Sequence, residues 1–263
     1  MKKLVIKIAV AVAFLIVVVL VVSFLFLGSI VKKGVETVGP TITKTEMKLG
    51  SATLSVLSGS GTLKGFLLGN PEGFKTAQAI SVGLTSVGVK PMSVFGDKVH
   101  VTHVRVEAPE ITFEVQGFNV SANNLSKILD NVTATAGDTS AKPADSKPAA
   151  KSEGASKKLQ VDEFLIAGAK LNVSSSMLGG QQVTVVLPEI RLTNLGQGPD
   201  GITAAELTKR VLNDVVAAAI PAAEKALKDA AKGVTDTFKD LTKGGTNSLD
   251  KVTKGVGDLF KKK

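Results

Sequence analysis

Two stretches of this sequence repeat one another sixty residues apart and share the same irregularity. Residues 98–113 align with residues 158–173 without a gap. In both copies the apolar residues alternate with polar ones, skip one position, and then alternate again. The matched apolar pairs are Val99 with Leu159, Val101 with Val161, Val104 with Phe164, Val106 with Ile166, Ile111 with Leu171, and Phe113 with Val173.

This alternation predicts β-strands that each have one dry face. A skip of one residue turns the apolar side chains to the other face unless a bulge or a corner corrects it. Because a shared skip arises by chance less easily than shared alternation, the sequence predicts a repeated strand–corner–strand unit. The alternative is two unrelated amphipathic strand pairs.

Further alternation predicts strands from Met47 to Val56 and from Ile80 to Val89. The chain has 26 glycines, which suit the tight turns between short strands. Gly59 to Gly61 is followed by a strand-like run, so it is expected to form a turn and not a phosphate-binding loop. The predicted fold class is therefore mainly β with flanking helices.

An apolar run from Ile8 to Leu27 stands near the start, interrupted only by Ser23 and preceded by Lys2, Lys3 and Lys7. A helix of about 20 residues measures roughly 30 Å, the thickness of the hydrocarbon core of a bilayer. The run predicts an uncleaved transmembrane anchor, and a cleaved signal peptide is the alternative. The lysines favour a cytoplasmic N-terminus and a translocated body.

Shifts in composition predict five segments. A short helix is expected over 121–132, with Leu125, Ile128 and Leu129 on one face. The segment after it is rich in Ala, Lys, Ser and Pro and is expected to be disordered, because it cannot bury enough apolar surface. The predicted segments are the anchor (1–29), the first half of the β region (30–132), the linker (133–157), the second half of the β region (158–200), and an amphipathic helix with a lysine-rich tail (201–263).

The C-terminal segment carries a stripe of small and apolar residues at steps of three and four, with a residue pattern that recurs every eleven positions. The stripe resembles the lipid-surface helices of apolipoproteins and synucleins and some desiccation-linked proteins. Leu207 to Leu227 is expected to pack on the β body, and Pro221 and Gly244-Gly245 to kink or break the helix. Beyond Ala230 the tail either lies on an anionic membrane or is solvated. The residues of the expected membrane-surface helix are Val234, Phe238, Leu241, Leu249, Val252, Val256 and Phe260.

The sequence contains no recognisable catalytic pattern. It has no cysteine, and only His100 and His103 offer imidazole ligands. Residues three apart in a regular strand point to opposite faces, which argues against a metal site. We expect no enzyme activity, no metal and no cofactor. The net charge of +9 is concentrated in the linker and the tail and lacks interleaved aromatic residues, so we expect anionic lipid and not nucleic acid as the partner.

The first half of the chain resembles the AsmA family of bacterial envelope proteins, which includes TamB-like proteins. The similarity begins with the anchor and the basic amphipathic segment 30–40, and continues through 57–66 and the strand pair ending at Ala108-Pro109-Glu110. The turn Gly69-Asn-Pro-Glu-Gly-Phe and the helix start Asn123-Asn124-Leu125 are its most family-like parts.

The resemblance implies an N-terminal transmembrane helix and a curved antiparallel sheet that forms a half-open groove with an apolar inner face. It also implies a single-pass protein of the bacterial inner membrane that faces the periplasm and handles lipid. Nine or ten strands about 4.8 Å apart predict a sheet roughly 45 Å long, too short to span an envelope alone. The family has no catalytic residues to carry over.

We therefore expect a membrane-anchored periplasmic protein that binds acyl chains on an apolar sheet face and acts in lipid handling or outer-membrane biogenesis. Membrane lipids are the expected partners, and envelope proteins are a second class. The rival is a non-catalytic scaffold with a closed apolar core and no ligand. The expected lining residues of the groove are Val99, Val101, Val104, Val106, Ile111, Phe113, Leu159, Val161, Phe164, Ile166, Leu171 and Val173.

Overall fold

The structure is a computed structural model that describes residues 27–55, 57–116, 119–138, 157–175 and 182–243. In these ranges nine strands form one mixed sheet, accompanied by three α-helices and a short 3-10 helix, Pro91–Phe95. The strands are β1 Met47–Leu54, β2 Ser60–Gly69, β3 Gln78–Val89, β4 Lys98–Glu107, β5 Glu110–Val115, β6 Lys158–Ala167, β7 Lys170–Ser175, β8 Gln182–Val186 and β9 Ile190–Leu195. The helices are α1 over 27–43, α2 Asn124–Asp138 and α3 Ala204–Lys243.

Three pairs of consecutive strands are collinear, so the sheet is narrower than its nine strands suggest. Both β4 and β5 pair with β3 in a single register, since Leu84 lies opposite Glu107 and Ser81 opposite Glu110. In the same way β6 continues into β7, and β8 into β9. The sheet is thus six strands wide, about 24 Å, which is roughly half of the length expected from strands lying side by side.

The two copies of the sequence repeat lie side by side in parallel, in the register of the sequence alignment. Val101 pairs with Val161, and Phe113 pairs with Val173. This pairing confirms the predicted repeat of two strands. It also corrects the expectation of a wholly antiparallel sheet. The parallel arrangement places each apolar position beside its own counterpart, and the chain between β5 and β6, which includes α2, makes the long crossover that parallel strands need.

One face of the sheet, here called the core face, carries the apolar residues of the repeat. On this face α2 packs against β5, and α3 packs against α2, β7, β8 and β9. The opposite, polar face carries exposed or half-exposed charges such as Arg105, Glu163 and Arg191. Because α2 and α3 occupy the core face, the sheet does not curl into the half-open groove that the resemblance implied.

A single line, here called the shift line, crosses all six strands at the same level. At this line the apolar residues of the core face skip one position, as between Leu49 and Ala52 on β1. Three of its residues, Gly65, Ala108 and Gly168, have φ angles of 65°, 43° and 67°. This left-handed region costs the two glycines little because they have no Cβ atom, whereas Ala108 adopts it at a cost of roughly 1–2 kcal/mol. The residues of the shift line, opposite one another in the register, are Gly50, Gly65, Gly83, Ala108, Gly168 and Pro188.

The skip inside the repeat is a separate irregularity within β4 and β6. Thr102 is the extra residue where the register between β3 and β4 shifts. The equivalent position on β6 is Asp162, and Asn194, opposite it on β9, has a φ of 60°. This bulge keeps Val101 and Val104 on the same face. The predicted corner therefore does not coincide with the skip, because the strand breaks come later, at the shift line.

Both helices that cover the core face begin with side-chain caps. The backbone N–H of Ser126 donates to Asn123 Oδ1 at 2.8 Å at the start of α2. At the start of α3, the N–H of Thr203 donates to Glu206 Oε2 at 2.7 Å, and the N–H of Glu206 donates to Thr203 Oγ1 at 3.1 Å. This reciprocal pair is a capping box, which satisfies two otherwise free donors. The structure confirms the predicted apolar face of α2, since Leu125 and Ile128 are fully buried.

The helix α3 confirms the predicted packing of the C-terminal stripe on the β body, since Leu212, Val216, Ala219 and Ala223 are buried. Of the expected kink or break at Pro221, the break is wrong, because α3 runs without interruption from Ala204 to Lys243. The ring of Pro221 lies on the exposed side of the helix, and packed residues on both sides of it hold the helix together.

The helix α1 runs along the free edge of β1. Glu36 Oε1 accepts a hydrogen bond from the N–H of Leu49 at 3.1 Å, and Lys32 Nζ donates to the carbonyl of Gly50 at 3.4 Å. The edge strand of the sheet is thereby covered, which protects its unpaired backbone groups.

Several predictions concern residues outside the described ranges. These are the anchor over residues 1–26, most of the linker, and the tail residues Leu249, Val252, Val256 and Phe260. The backbones of Val234, Phe238 and Leu241 belong to α3, but their side chains lie outside the description. Residues 133–138 belong to α2, so the predicted start of the linker was six residues too early. None of the helices within the described ranges is both long enough and apolar enough to cross a membrane.

The shift line gives a direct test of the fold. Gly168→Ala is expected to lower the free energy of unfolding by about 1–2 kcal/mol, because a Cβ atom is strained at its positive φ. Gly83→Ala is the matched control, since it lies on the same line and a Cβ atom there meets nothing within 4 Å. Urea unfolding of the full chain measures both, and equal losses would contradict this account.

Candidate functional site

The structure divides the predicted lining residues into two groups. Six of them are buried in the core: Ile111, Phe113, Val161, Ile166, Leu171 and Val173. The other six are only partly buried: Val99, Val101, Val104, Val106, Leu159 and Phe164. Of these, Val99 alone lies outside both the core and the residues packed against it.

The core face continues past the core as a partly buried apolar surface on β1 to β4. The register joins its members in rows, since Ala52 pairs with Leu63, Leu54 with Gly61, and Gly61 with Val87. Val104 pairs with Val87 and connects this surface to the core. We call this surface the apolar shelf, and its residues are Ala52, Leu54, Leu63, Val87, Val89 and Val99.

One end of the sheet, beyond the shelf, exposes large apolar side chains. Leu57 in the β1–β2 turn is 86% exposed, and in the 3-10 helix Met92 is 79% and Phe95 is 78% exposed. Val94, in the same 3-10 helix, is 42% exposed, and we call the four residues Leu57, Met92, Val94 and Phe95 the apolar tip. Sequence reasoning missed the tip, although the apolar residues between Pro91 and Gly96 interrupt the expected strand pattern.

The tip is an ordered part of the fold. Gly59 has a φ of 68°, and a Cβ atom there would lie 1.9 Å from the carbonyl oxygen of Val89, so the turn approaches β3 closely. Ser93 Oγ donates to the carbonyl of Lys90 at 2.6 Å and accepts from the N–H of His100 at 2.9 Å. These bonds fix the 3-10 helix while its apolar side chains face outward.

Lysines border the tip. Lys90 precedes the 3-10 helix, and Lys157 Nζ donates to the carbonyl of Val94. Lys98 pairs with Lys158 at the first position of β4 and β6. Asp97 lies between the 3-10 helix and β4, and Asp162 and Glu206 interact with Lys90 and Lys158, so the positive charge around the tip is partly compensated.

A histidine–carboxylate pair lies on the polar face. His100 Nε2 is 2.7 Å from Asp162 Oδ2, and Gln160 Nε2 donates to Asp162 Oδ1 at 3.2 Å. The hydrogen bond with His100 lowers the pKa of Asp162. The bulge at Thr102 puts His103 on this same face, which corrects the sequence argument that the two histidines face opposite ways. Among the described residues no group of three or more His, Asp or Glu side chains could hold a metal ion.

The two family-like motifs of the resemblance meet in a buried polar cluster. Asn124 Nδ2 donates to Asn70 Oδ1 at 2.7 Å, and the N–H of Glu114 donates to Asn124 Oδ1 at 3.0 Å. The carboxylate of Glu114 accepts from the N–H of Lys75, the N–H of Thr76 and the hydroxyl of Thr76, at 2.6 to 2.8 Å. Because its polar atoms are satisfied internally, the cluster fixes the 70–77 loop to β5 and α2.

An open cleft of about 570 Å³ lies between α1 and the strands β1 and β2. Its charges are compensated locally, since Lys48 Nζ is 2.8 Å from Glu46 and Lys32 Nζ is 3.9 Å from Glu36. The cleft therefore favours no particular class of ligand.

Comparison with known proteins does not identify the chain: it matches no protein-family model, no curated protein and no solved structure. The candidate site is therefore defined by geometry alone, as the apolar shelf together with the apolar tip.

Glu114 makes stability depend on pH. Burial raises the pKa of Glu114, but the hydrogen bonds from Thr76 and from the N–H of Lys75 outweigh it and hold the pKa below its ordinary value. The carboxylate therefore stabilises the fold at neutral pH, and this contribution is lost as the pH falls through the folded-state pKa. Glu114→Gln is expected to cost about 1–3 kcal/mol at pH 7.

The difference between wild type and Glu114→Gln in urea unfolding is expected to shrink between about pH 5 and pH 3. Glu110→Gln, at an exposed position of the same strand, is the control and should change stability little at either pH. A constant difference across this pH range would show that the carboxylate is not the stabilising group.

Proposed function

We propose that this chain is a membrane-anchored protein that binds acyl chains on its apolar shelf and acts in lipid handling or outer-membrane biogenesis. One observation carries the proposal: six apolar side chains on the core face are only partly buried and lie outside the packed core. A soluble domain normally covers such a surface, so a contiguous apolar patch marks a binding surface.

The dimensions of the shelf suit a hydrocarbon chain. From β1 to β4 it spans three strand spacings, about 14 Å. Burial of about ten methylene groups would contribute roughly 8 kcal/mol, which corresponds to micromolar affinity before ordering costs. Thr85, which is buried, lies beside Leu63 within the shelf, and the other side chains are apolar, so the ligand would be recognised by its apolar chain.

The resemblance to the AsmA family supports the same class of function and suggests an inner-membrane protein that faces the periplasm. The predicted anchor over the apolar run is part of this proposal. The binding surface differs from a half-open groove. Helices α2 and α3 cover one half of the core face, so an acyl chain would bind on the shelf alone.

The second candidate is a scaffold without a ligand. The complete burial of Phe113, Leu171 and Val173 favours it, because these predicted lining residues form an ordinary closed core. The two functions differ in the shelf: a scaffold would leave it empty of lipid.

Adjacent residues on opposite faces of β3 provide the test. Val87→Lys places a charge on the shelf, whereas Ser86→Lys places the same charge on the polar face. Native mass spectrometry of the full chain in mild detergent is expected to show lipid adducts on wild type and on Ser86→Lys, and about tenfold fewer on Val87→Lys. Equal adducts on both variants, or no lipid on wild type above a matched control protein, would refute acyl-chain binding by the shelf.

A further inference from the structure

The apolar tip presents large side chains to solvent in an ordered segment of the fold. Leu57 and Phe95 are each more than three-quarters exposed. The two hydrogen bonds of Ser93 hold the 3-10 helix of the tip in place, so the exposed side chains of this helix belong to an ordered segment. Ordered exposed apolar residues of this size mark an interaction surface.

The charges around the tip indicate what that surface binds. Lys90, Lys98, Lys157 and Lys158 border it, and their charge is partly compensated by the carboxylates of Asp97, Asp162 and Glu206. Apolar side chains surrounded by lysines are typical of segments that lie in the interface of an anionic membrane. Each lysine near such a surface strengthens binding about fivefold, as follows from about 1 kcal/mol for each charge.

The path of the chain brings the N-terminal segment to this same end. The described part of α1 begins at residue 27, and a Cβ atom on Gly28 would lie 2.0 Å from the carbonyl oxygen of Ala52. Ala52 lies on β1 just before the turn that carries Leu57. Ile30, near the start of α1, is 64% exposed. The apolar run predicted to span a membrane therefore joins the fold at the end of the sheet that bears the tip.

We propose that the apolar tip docks on the surface of the membrane that holds the N-terminal run, with its apolar side chains among the lipid headgroups and its lysines on anionic lipid. The end of the sheet that bears the tip then contacts the membrane, and the shelf lies directly above the bilayer surface. This docking holds whether or not the shelf takes an acyl chain.

The absence of native cysteine allows single labels to test the docking. An environment-sensitive fluorophore is attached to Leu57→Cys, Met92→Cys or Val186→Cys in the full chain, which is then added to vesicles containing phosphatidylglycerol. Val186 is the matched control, because it is 73% exposed but lies on β8, away from the tip. The labels at positions 57 and 92 should be quenched by nitroxide-bearing lipids and be protected from aqueous iodide, unlike the label at position 186.

Three results would overturn the docking. The first is iodide quenching at positions 57 and 92 equal to that at position 186. The second is protection of the tip labels without vesicles, which would mean that copies of the chain cover the tip. The third is the same protection on vesicles of neutral lipid, or after Lys90→Gln with Lys158→Gln, which should together weaken docking of the tip by about 25-fold. Circular dichroism of each variant checks that the fold is retained. If the tip does not dock but lipid adducts persist in mass spectrometry, the docking proposal fails and the proposal of acyl-chain binding by the shelf stands.

Discussion

The parallel pairing of the two repeat copies is the contact on which the rest of the sheet depends. In this pairing each residue of β4 and β5 lies opposite the residue sixty positions later in β6 and β7. The two copies therefore cross the shift line at equivalent residues, Ala108 and Gly168. The six matched apolar pairs of the repeat, such as Val101 with Val161 and Phe113 with Val173, then lie side by side on one face. This doubled apolar face is wide enough to hold α2 and α3 and still leave the shelf at its side.

The sequence was sufficient to predict the local elements and the matched residues of the repeat. The apolar period and the sixty-residue offset can both be counted directly along the chain. It did not predict that the copies pair in parallel, since alternation looks the same in either direction. Nor could it place the skip in a bulge at Thr102, because a bulge is defined only against a partner strand. Of the predicted lining residues, Val173 is in the core and Val99 on the shelf, a difference set by where the helices pack.

The shelf and the tip follow from how far the helices reach. α3 covers β7, β8 and β9, and α2 covers β5, so the core face of β1 to β3 beyond the shift line remains partly buried. The β1–β2 turn and the 3-10 helix end these same strands and carry the exposed Leu57 and Met92. Docking of the tip as proposed places the shelf beside the membrane surface.

The central claim is that an acyl chain lies on the shelf and not in the core. Methyl-labelled full chain in detergent micelles, titrated with nitroxide-bearing stearic acid, tests it by the broadening of individual valine resonances. The account predicts broadening at Val87, Val89 and Val99, with the buried Val173, at the other end of the sheet, unaffected at the same concentration. Uniform broadening of all valines, or broadening of the core valines first, would contradict it.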